Sequence, residues 1–250
     1  MEIKLSRELR EEPRQVIRVQ RNIVRAMNKV LVIAVHPDDE TLGCGGTLLK
    51  HKAQGDEIYW LVVTGPIKGD HPAFTDEFIA KRDALVDRVA ETYGFSETIK
   101  MNFPTQKLHT VDLKDIILKI SDTMNRIQPD TIYLMFNNDV HSDHRVAFEA
   151  AYSCTKSFRY PFIKRILMIE ALSETEFAVA TPSNTFIPNV FVDITDFIGK
   201  KLEIMSMYDT ELMDEPYPRS LSSIEALARV RGSRAGVMYA EAFQLLYEKR

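Results

Sequence analysis

A chain of 250 residues, 45% of them hydrophobic and 27% charged, is long enough to bury a sizeable core in one domain or at most two. Its 32 basic and 36 acidic residues give a net charge of -4 and form no dense basic run, which argues against a nucleic-acid partner. No apolar run approaches the about 20 residues that span a bilayer, and the N-terminus lacks the apolar core of a signal peptide. We therefore expect a cytoplasmic protein with no membrane partner.

The first 29 residues differ in pattern from the rest of the chain. They are rich in charge, and their apolar residues are spaced loosely like one face of a helix. We expect residues 1–29 to form a helical extension that packs on the domain or on a neighbouring subunit, and residues 30–250 to form a single domain. The chain could therefore be a homo-oligomer, and its oligomeric state stays open.

Short apolar stretches alternate with amphipathic stretches along the remainder of the chain. The predicted strands are residues 31–35, 57–64, 98–103, 131–136, 166–169 and 190–192. The predicted helices are residues 47–53, 76–93, 111–127 and 146–158, with a further helix capped at Thr195 or Asp196 and ending at Met207. This alternation predicts βαβ units with right-handed crossovers, and thus a Rossmann-like, three-layer α/β domain with a mostly parallel sheet.

Two polar loops follow predicted strands and carry the chemistry of the chain. Residues 36–40, HPDDE, come directly after the first strand, and the glycines within residues 41–46 are expected to permit tight turns and close backbone approach. A second polar loop, residues 137–145, follows the strand 131–136. Because the carboxyl ends of parallel strands lie at one edge of a sheet, we expect both loops to open into one pocket there.

The side chains of these loops predict a metal-assisted hydrolase. His36, Asp39 and His144 offer two imidazole nitrogens and a carboxylate oxygen, an open coordination set for zinc or another divalent transition metal such as Fe²⁺. Asp38 is then a spare carboxylate that can take a proton from an attacking water. His141, three residues before His144, can present a hydrogen-bonding ring to a developing oxyanion.

Each feature alone also has a purely structural explanation. A single histidine at a strand end is more often an ordinary loop residue, and an acidic run is often the first turn of a helix, where it complements the helix dipole. Two such loops at the same edge of one sheet are a more specific signal. The combination favours a catalytic site.

Two motifs give the chain a family resemblance. Residues 36–47, HPDDETLGCGGT, and residues 139–145, DVHSDHR, resemble the LmbE-like, or PIG-L, family of zinc-dependent N-acetylglucosaminyl deacetylases. The similarity covers most of the chain from about residue 30, with softer matches at residues 191–195, 231–232 and 239–243.

The resemblance implies a function for each polar residue of the two loops. It implies that His36, Asp39 and His144 bind Zn²⁺, that Asp38 is the general base, and that His141 stabilises the tetrahedral intermediate. The implied reaction is the removal of an N-acetyl or other acyl group from an amino sugar or its conjugate.

The resemblance also implies two substrate-binding residues. Arg82 falls where the family has an arginine that reaches the substrate. Asp139 falls where some members have a tyrosine, and we expect it to belong to the substrate-binding region.

Two alternatives stay open. Similar proteins cleave amides of thiol conjugates or deacylate antibiotic precursors, and the loops around residues 65–75, 103–110 and 209–220 are expected to line the pocket and decide the substrate. A non-catalytic domain that binds a sugar or nucleotide is the second alternative. The glycines argue against it, because they follow the acidic cluster and do not open from the strand as a dinucleotide fingerprint does.

Overall fold

The computed structural model describes residues 27–250. Most of the predicted N-terminal extension, residues 1–29, lies outside the described residues, so the extension and the single domain over 30–250 stay predictions. The first strand begins at Lys29, inside the range predicted for the extension.

Seven strands of the described chain form one sheet. They are β1 (Lys29–Ala34), β2 (Glu57–Gly65), β3 (Glu97–Pro104), β4 (Thr131–Met135), β5 (Arg165–Ile169), β6 (Val190–Asp193) and β7 (Ala240–Glu248). Their order is β3-β2-β1-β4-β5-β7-β6, and β7 pairs antiparallel with both β5 and β6, while the other pairs of this sheet are parallel. The predicted α/β class with a mostly parallel sheet is confirmed.

Six α-helices of the described chain connect and cover the strands. They are α1 (Asp39–Ala53), α2 (Asp76–Tyr93), α3 (Leu113–Ile127), α4 (Ser142–Ser153), α5 (Ile198–Met205) and α6 (Leu221–Ala235), with a short 3₁₀ helix at Leu108–Thr110. The bounds of α2 agree with the prediction, because Thr75 caps its start and Gly94, at φ 70°, ends it. The sequence did not predict α6 or β7.

The glycines at positions 43, 45 and 46 are part of α1, so the turns expected over residues 41–46 are wrong. The helix is kinked at Cys44, whose φ is -147°. A Cβ on Gly43 would lie 2.5 Å from Ile169 Cδ1, and one on Gly46 would lie 2.8 Å from Ile194 Cβ. Glycine therefore allows α1 to lie close against β5 and the residue after β6, and the close backbone approach expected from the sequence is present.

The order of the strands positions the two polar loops. β1 and β4 are parallel neighbours, and the chain leaves β1 towards β2 on one side and β4 towards β5 on the other. Loops that follow such a pair separate and leave a crevice at the carboxyl edge, where open α/β sheets bind ligands. The two polar loops thus lie at the same edge of the sheet, as predicted.

Two further observations concern the cysteines and the helices of the described chain. Cys44 and Cys154 are both buried and unbonded to each other. Over residues 27–250, no helix combines the length and the hydropathy that crossing a membrane requires. The cytoplasmic location stays a prediction.

Candidate metal centre

The turn after β1 brings His36 and Asp39 together. Asp39 opens α1, where a helix N-terminus favours a carboxylate. The backbone N–H groups of Val35 and His36 donate to Asp39 Oδ2 at 3.0 and 2.8 Å. These bonds tie the carboxylate to the end of the strand, and Oδ2 lies 3.8 Å from His36 Nδ1.

The loop after β4 brings His141 and His144 to the same place. His141 caps α4, because its Nδ1 accepts the backbone N–H of Asp143 at 3.1 Å. This cap starts the helix at Ser142, four residues before the predicted start. His144 lies in the first turn, and its Nε2 is 3.2 Å from His36 Nδ1 and 3.4 Å from Asp39 Oδ2.

The spacing of these donor atoms fits a single divalent ion. The three separations among His36 Nδ1, Asp39 Oδ2 and His144 Nε2 are 3.2, 3.4 and 3.8 Å. Tetrahedral ligands at the usual zinc distances of about 2.0–2.2 Å lie about 3.3–3.6 Å from one another. His141 borders the same point, since the ring nitrogens of His36, His141 and His144 lie within 4.8 Å of one another.

A carboxylate lies behind each of the two histidines that face Asp39. Asp139 Oδ2 is 2.8 Å from His144 Nδ1, and Asp143 Oδ2 is 3.4 Å from His36 Nε2. A carboxylate in this position orients the ring and fixes its tautomer, with the proton on the far nitrogen and a lone pair towards the metal. His36 and His144 thus each have a carboxylate partner that suits a metal-binding histidine.

The position of Asp139 differs from the substrate-binding role expected from the sequence. Its side chain is wholly buried, and its second oxygen accepts the hydroxyl of Thr175 at 2.6 Å. Both carboxylate oxygens are therefore used inside the protein, where a substrate does not reach them. This placement behind His144 suits a residue that orients that ring, and the role of Asp139 stays a prediction.

The electrostatics of the centre favour a positive charge at His144 and a neutral ring at His141. Burial lowers the pKa of His144, but Asp39 and the hydrogen-bonded Asp139 outweigh it and raise that pKa to about 9. A place that stabilises an imidazolium also attracts a metal cation. At His141, burial and then the neighbouring rings of His36 and His144 lower the pKa to about 4.

The hydrogen bond of His141 decides which of its nitrogens carries the proton. Since Nδ1 accepts the N–H of Asp143, a neutral ring has its proton on Nε2. His141 is among the residues that line the cavity described below.

Asp38 is held in an unusual conformation beside the donor atoms. Its φ of 132° is one that residues other than glycine rarely adopt, and its backbone N–H donates to Glu40 Oε2 at 3.1 Å. Burial raises the pKa of Asp38 well above its ordinary value, Asp39 raises it further, and Arg219 opposes the shift. A buried carboxylate with a raised pKa is suited to accept a proton.

A cavity of about 320 Å³ opens above these residues. His36, Asp38 and Asp39 form part of its wall. Each of the three loops expected to line the pocket contributes to it, with Phe74 from the first, Gln106 from the second and Arg219 from the third.

Arg82 lines the cavity within a network of charges. Its Nη1 donates to Glu211 Oε1 at 2.7 Å. Arg219 Nη1 donates to the other oxygen of Glu211 at 3.2 Å and approaches Asp38 Oδ2 at 3.4 Å. Arg82 thus faces the cavity, and its contact with substrate stays a prediction.

Three of these residues were not predicted. Asp143 lies within the motif DVHSDHR, between two histidines, and its position there was a usable signal. Glu211 and Arg219 fall in the loop 209–220, which was expected to line the pocket, but nothing in their local spacing singles them out. Arg219 is 181 residues from Asp38 in sequence.

Comparisons with known proteins agree with this geometry. The profile of the PIG-L family, GlcNAc-PI de-N-acetylase, matches residues 31–155, which is half of the chain and includes both motifs. The diacetylchitobiose deacetylase of Thermococcus kodakarensis is 25% identical over 231 residues, which cover 88% of this chain and 84% of the relative.

Two solved structures share the fold. The N,N'-diacetylchitobiose deacetylase of Pyrococcus horikoshii, solved with its inhibitor MPG, has a TM-score of 0.71 at 20% identity and covers 91% of this chain and 86% of its own. The 4-carboxy-2-hydroxymuconate hydratase of Pseudomonas putida has a TM-score of 0.68 at 18% identity and covers 90% of this chain and 98% of its own. At these identities the structures show the fold alone, and the hydratase illustrates that the fold does not fix the reaction.

Proposed function

The chain belongs to the PIG-L family of GlcNAc-PI de-N-acetylases, and from that premise we propose that it removes the acetyl group of an N-acetylated amino sugar. The family resemblance of the two sequence motifs is confirmed, and with it the reaction class, metal-dependent N-deacetylation. What we propose beyond that class is the amino-sugar substrate, zinc as the metal, and the role of each residue.

The donor set supports zinc. His36, Asp39 and His144 would hold the ion, and a set of two imidazoles and one carboxylate leaves coordination positions open, as in catalytic zinc sites. The carboxylates of Asp139 and Asp143 behind the two rings are the partners that metal-binding histidines usually have. Bound there, the ion supplies Lewis acidity, which polarises a carbonyl and makes a water molecule more acidic.

The protein's own residues account for the proton transfers. Asp38 accepts a proton from the water that attacks the amide carbonyl carbon. As the carbon–nitrogen bond breaks, Asp38 delivers that proton to the nitrogen, so that a free amine and acetic acid are formed, and the acid then loses its remaining proton to solvent as acetate. The Nε2–H of His141 donates a hydrogen bond to the carbonyl oxygen, on which negative charge develops.

One observation carries the proposal most strongly. The buried carboxylate of Asp38 lines the same cavity as His36, Asp39 and His144, so a proton acceptor and three donor atoms with the spacing of a metal site share one pocket. A domain that only binds a sugar does not need a proton acceptor and a metal site in one pocket.

Two variants test the assignment of roles. Asp38→Asn should bind zinc with the stoichiometry of the parent protein and lose turnover by about 10²–10⁴-fold, the usual contribution of a general base. His144→Ala should lose bound zinc, measured by atomic emission after gel filtration. Asp87→Asn and His109→Ala, both at exposed positions, serve as matched controls. Full activity in Asp38→Asn, or unchanged zinc content in His144→Ala, would contradict the corresponding role.

A further inference from the structure

Two arginines of the cavity share one carboxylate. Arg82 Nη1 donates to Glu211 Oε1 at 2.7 Å, and Arg219 Nη1 donates to Glu211 Oε2 at 3.2 Å. Arg82 lies on α2 and the other two residues lie on the loop between α5 and α6, yet all three line the cavity. Their side chains are 16–22% exposed, so a ligand that enters the cavity can reach each of the three charged groups.

The loop that carries Glu211 and Arg219 is also held by other contacts. The backbone N–H of Met213 donates to the carbonyl of Arg219 at 3.3 Å. The hydroxyl of Ser220 caps α6, because it accepts the N–H of Ser223 at 3.2 Å. Ion pairs that solvent can reach contribute little to the stability of a fold. The shared carboxylate therefore calls for a role in the cavity itself.

A guanidinium group without a carboxylate partner is a strong binding group for anions. Its planar N–H donors match the oxygens of a carboxylate or a phosphate. Arg219 has donor capacity left, because its Nε is buried and has no hydrogen-bond partner among the described residues. Glu211, however, already neutralises Arg219 and Arg82 together. An anionic ligand group would have to displace Glu211 or lie beside its negative charge.

The other charges of the cavity do not favour an anionic ligand either. Asp38, Asp39 and Glu174 line it together with Glu211, against the two guanidinium groups. Glu174 differs from Glu211 in its partner, since its Oε1 accepts the hydroxyl of Ser173 at 3.2 Å and no arginine or lysine of the described chain forms an ion pair with it. The two glutamates therefore carry the same charge in one cavity, but only the charge of Glu211 is placed to occupy the arginines.

We propose that Glu211 determines specificity: it keeps both arginines neutralised, so that the cavity accepts an uncharged N-acetylated sugar and rejects one that carries a carboxylate or phosphate group. The proposal rests on the proposed function in one respect, since the ligand of this cavity is taken to be an amino sugar. Glu211 acts through Arg82 and Arg219 and takes no part in the proton transfers.

The test measures binding to the full chain after treatment with a chelator, so that no metal ion attracts the anion. Calorimetric titrations at about pH 8, well above the ordinary pKa of a carboxyl group, compare N-acetylglucosamine with N-acetylmuramic acid and N-acetylglucosamine 6-phosphate. The parent chain should bind the neutral sugar at least about tenfold more tightly than either anionic sugar. Glu211→Gln should bind at least one anionic sugar about tenfold more tightly than the parent chain does, because charge-assisted donors are released, and the neutral sugar within about twofold.

Two further variants distinguish the release of the arginines from a general change of charge. Glu174→Gln removes one negative charge from the same cavity without releasing a guanidinium group, so its effect on anion binding should stay below about threefold. Adding Arg219→Gln to Glu211→Gln should remove most of the gained affinity. Circular dichroism of each variant verifies the fold.

These measurements do not require turnover, so they separate the role of Glu211 from the proposed reaction. If Glu211→Gln gains anion affinity but the zinc-loaded parent chain releases no amine from any of the three sugars, the deacetylase proposal fails and the specificity role stands. Equal binding of neutral and anionic sugars by the parent chain, or an equal gain in Glu174→Gln, overturns the specificity role. A Glu211→Gln chain that keeps the selectivity of the parent, or that no longer folds, overturns it as well.

Discussion

Replacement of Asp139 by Asn isolates the role of the carboxylate behind His144. The side chain keeps its size and an oxygen for the 2.8 Å hydrogen bond from His144 Nδ1, but it loses the negative charge. Both side chains are at most 1% exposed, so solvent screens this interaction little. The partners behind metal-binding histidines typically contribute about 10–100-fold to metal affinity, which corresponds to about 1.4–2.7 kcal/mol.

We therefore expect Asp139→Asn to bind zinc about 10–100-fold more weakly than the parent chain. The assay is a titration against a chromophoric chelator at fixed pH, with circular dichroism of the metal-free protein to verify the fold. Asp143→Asn is the comparison, and its effect should be smaller because its distance to His36 is 3.4 Å and that ring is partly exposed.

The opposite outcome would refute the role in positioning His144. If Asp139→Asn keeps the zinc affinity of the parent chain and instead raises KM at saturating metal, the residue contacts substrate, as the sequence led us to expect. Measuring affinity and KM on the same preparations distinguishes the two roles.

Two stability predictions concern the kinked helix α1. Glu241 accepts the N–H groups of Gly46 and Thr47 and the ammonium of Lys201, which is almost fully buried, so Glu241→Gln should lower the free energy of unfolding by about 3–5 kcal/mol. The exposed pair of Lys200 and Glu203 is the control, and urea titration of Glu203→Gln should show a loss below about 1 kcal/mol. Gly43→Ala, whose Cβ would lie 2.5 Å from a side chain of β5, should destabilise by about 1–3 kcal/mol in the same assay. Gly199→Ala, with open space around its Cβ in α5, should stabilise by about 0.5–1 kcal/mol, and equal effects at both glycines would contradict the packing argument.

The sequence predicted the sheet well because its strands are continuous apolar runs. Residues 30–34 of β1 are almost wholly buried, and such a run has no plausible place except the middle of a sheet. The end of α2 was predictable for a similarly local reason, since Gly94 adopts the left-handed conformation that glycine favours.

The starts of α1 and α4 were predicted wrongly for physical reasons that local sequence patterns do not indicate. The acidic residues Asp39 and Glu40 were assigned to a loop, but they start a helix whose glycines are explained by the distant residues Ile169, at the end of β5, and Ile194, directly after β6. The start of α4 was missed because its cap is His141, a residue type outside the usual capping set.

The candidate site also has residues that the sequence could predict and contacts that it could not. His36, Asp39 and His144 could be proposed as ligands because each follows a recognisable strand and the sheet edge brings their loops together. The place of Asp139 behind His144 depends on how α4 is oriented, and the contact between Arg219 and Asp38 joins distant parts of the chain. Such contacts are properties of the folded protein and have no signature in local spacing.

The most direct test of the central claim is the release of acetate and free amine from N,N'-diacetylchitobiose by one preparation of the protein in three states. These are the chain stripped with a chelator, the same chain reloaded with zinc, and the reloaded Asp38→Asn variant. We predict equal amounts of acetate and amine from the reloaded parent chain, and little from the other two. Equal release in all three states, or no release from a parent chain that binds one zinc ion, would contradict a zinc-dependent amino-sugar deacetylase with Asp38 as its base.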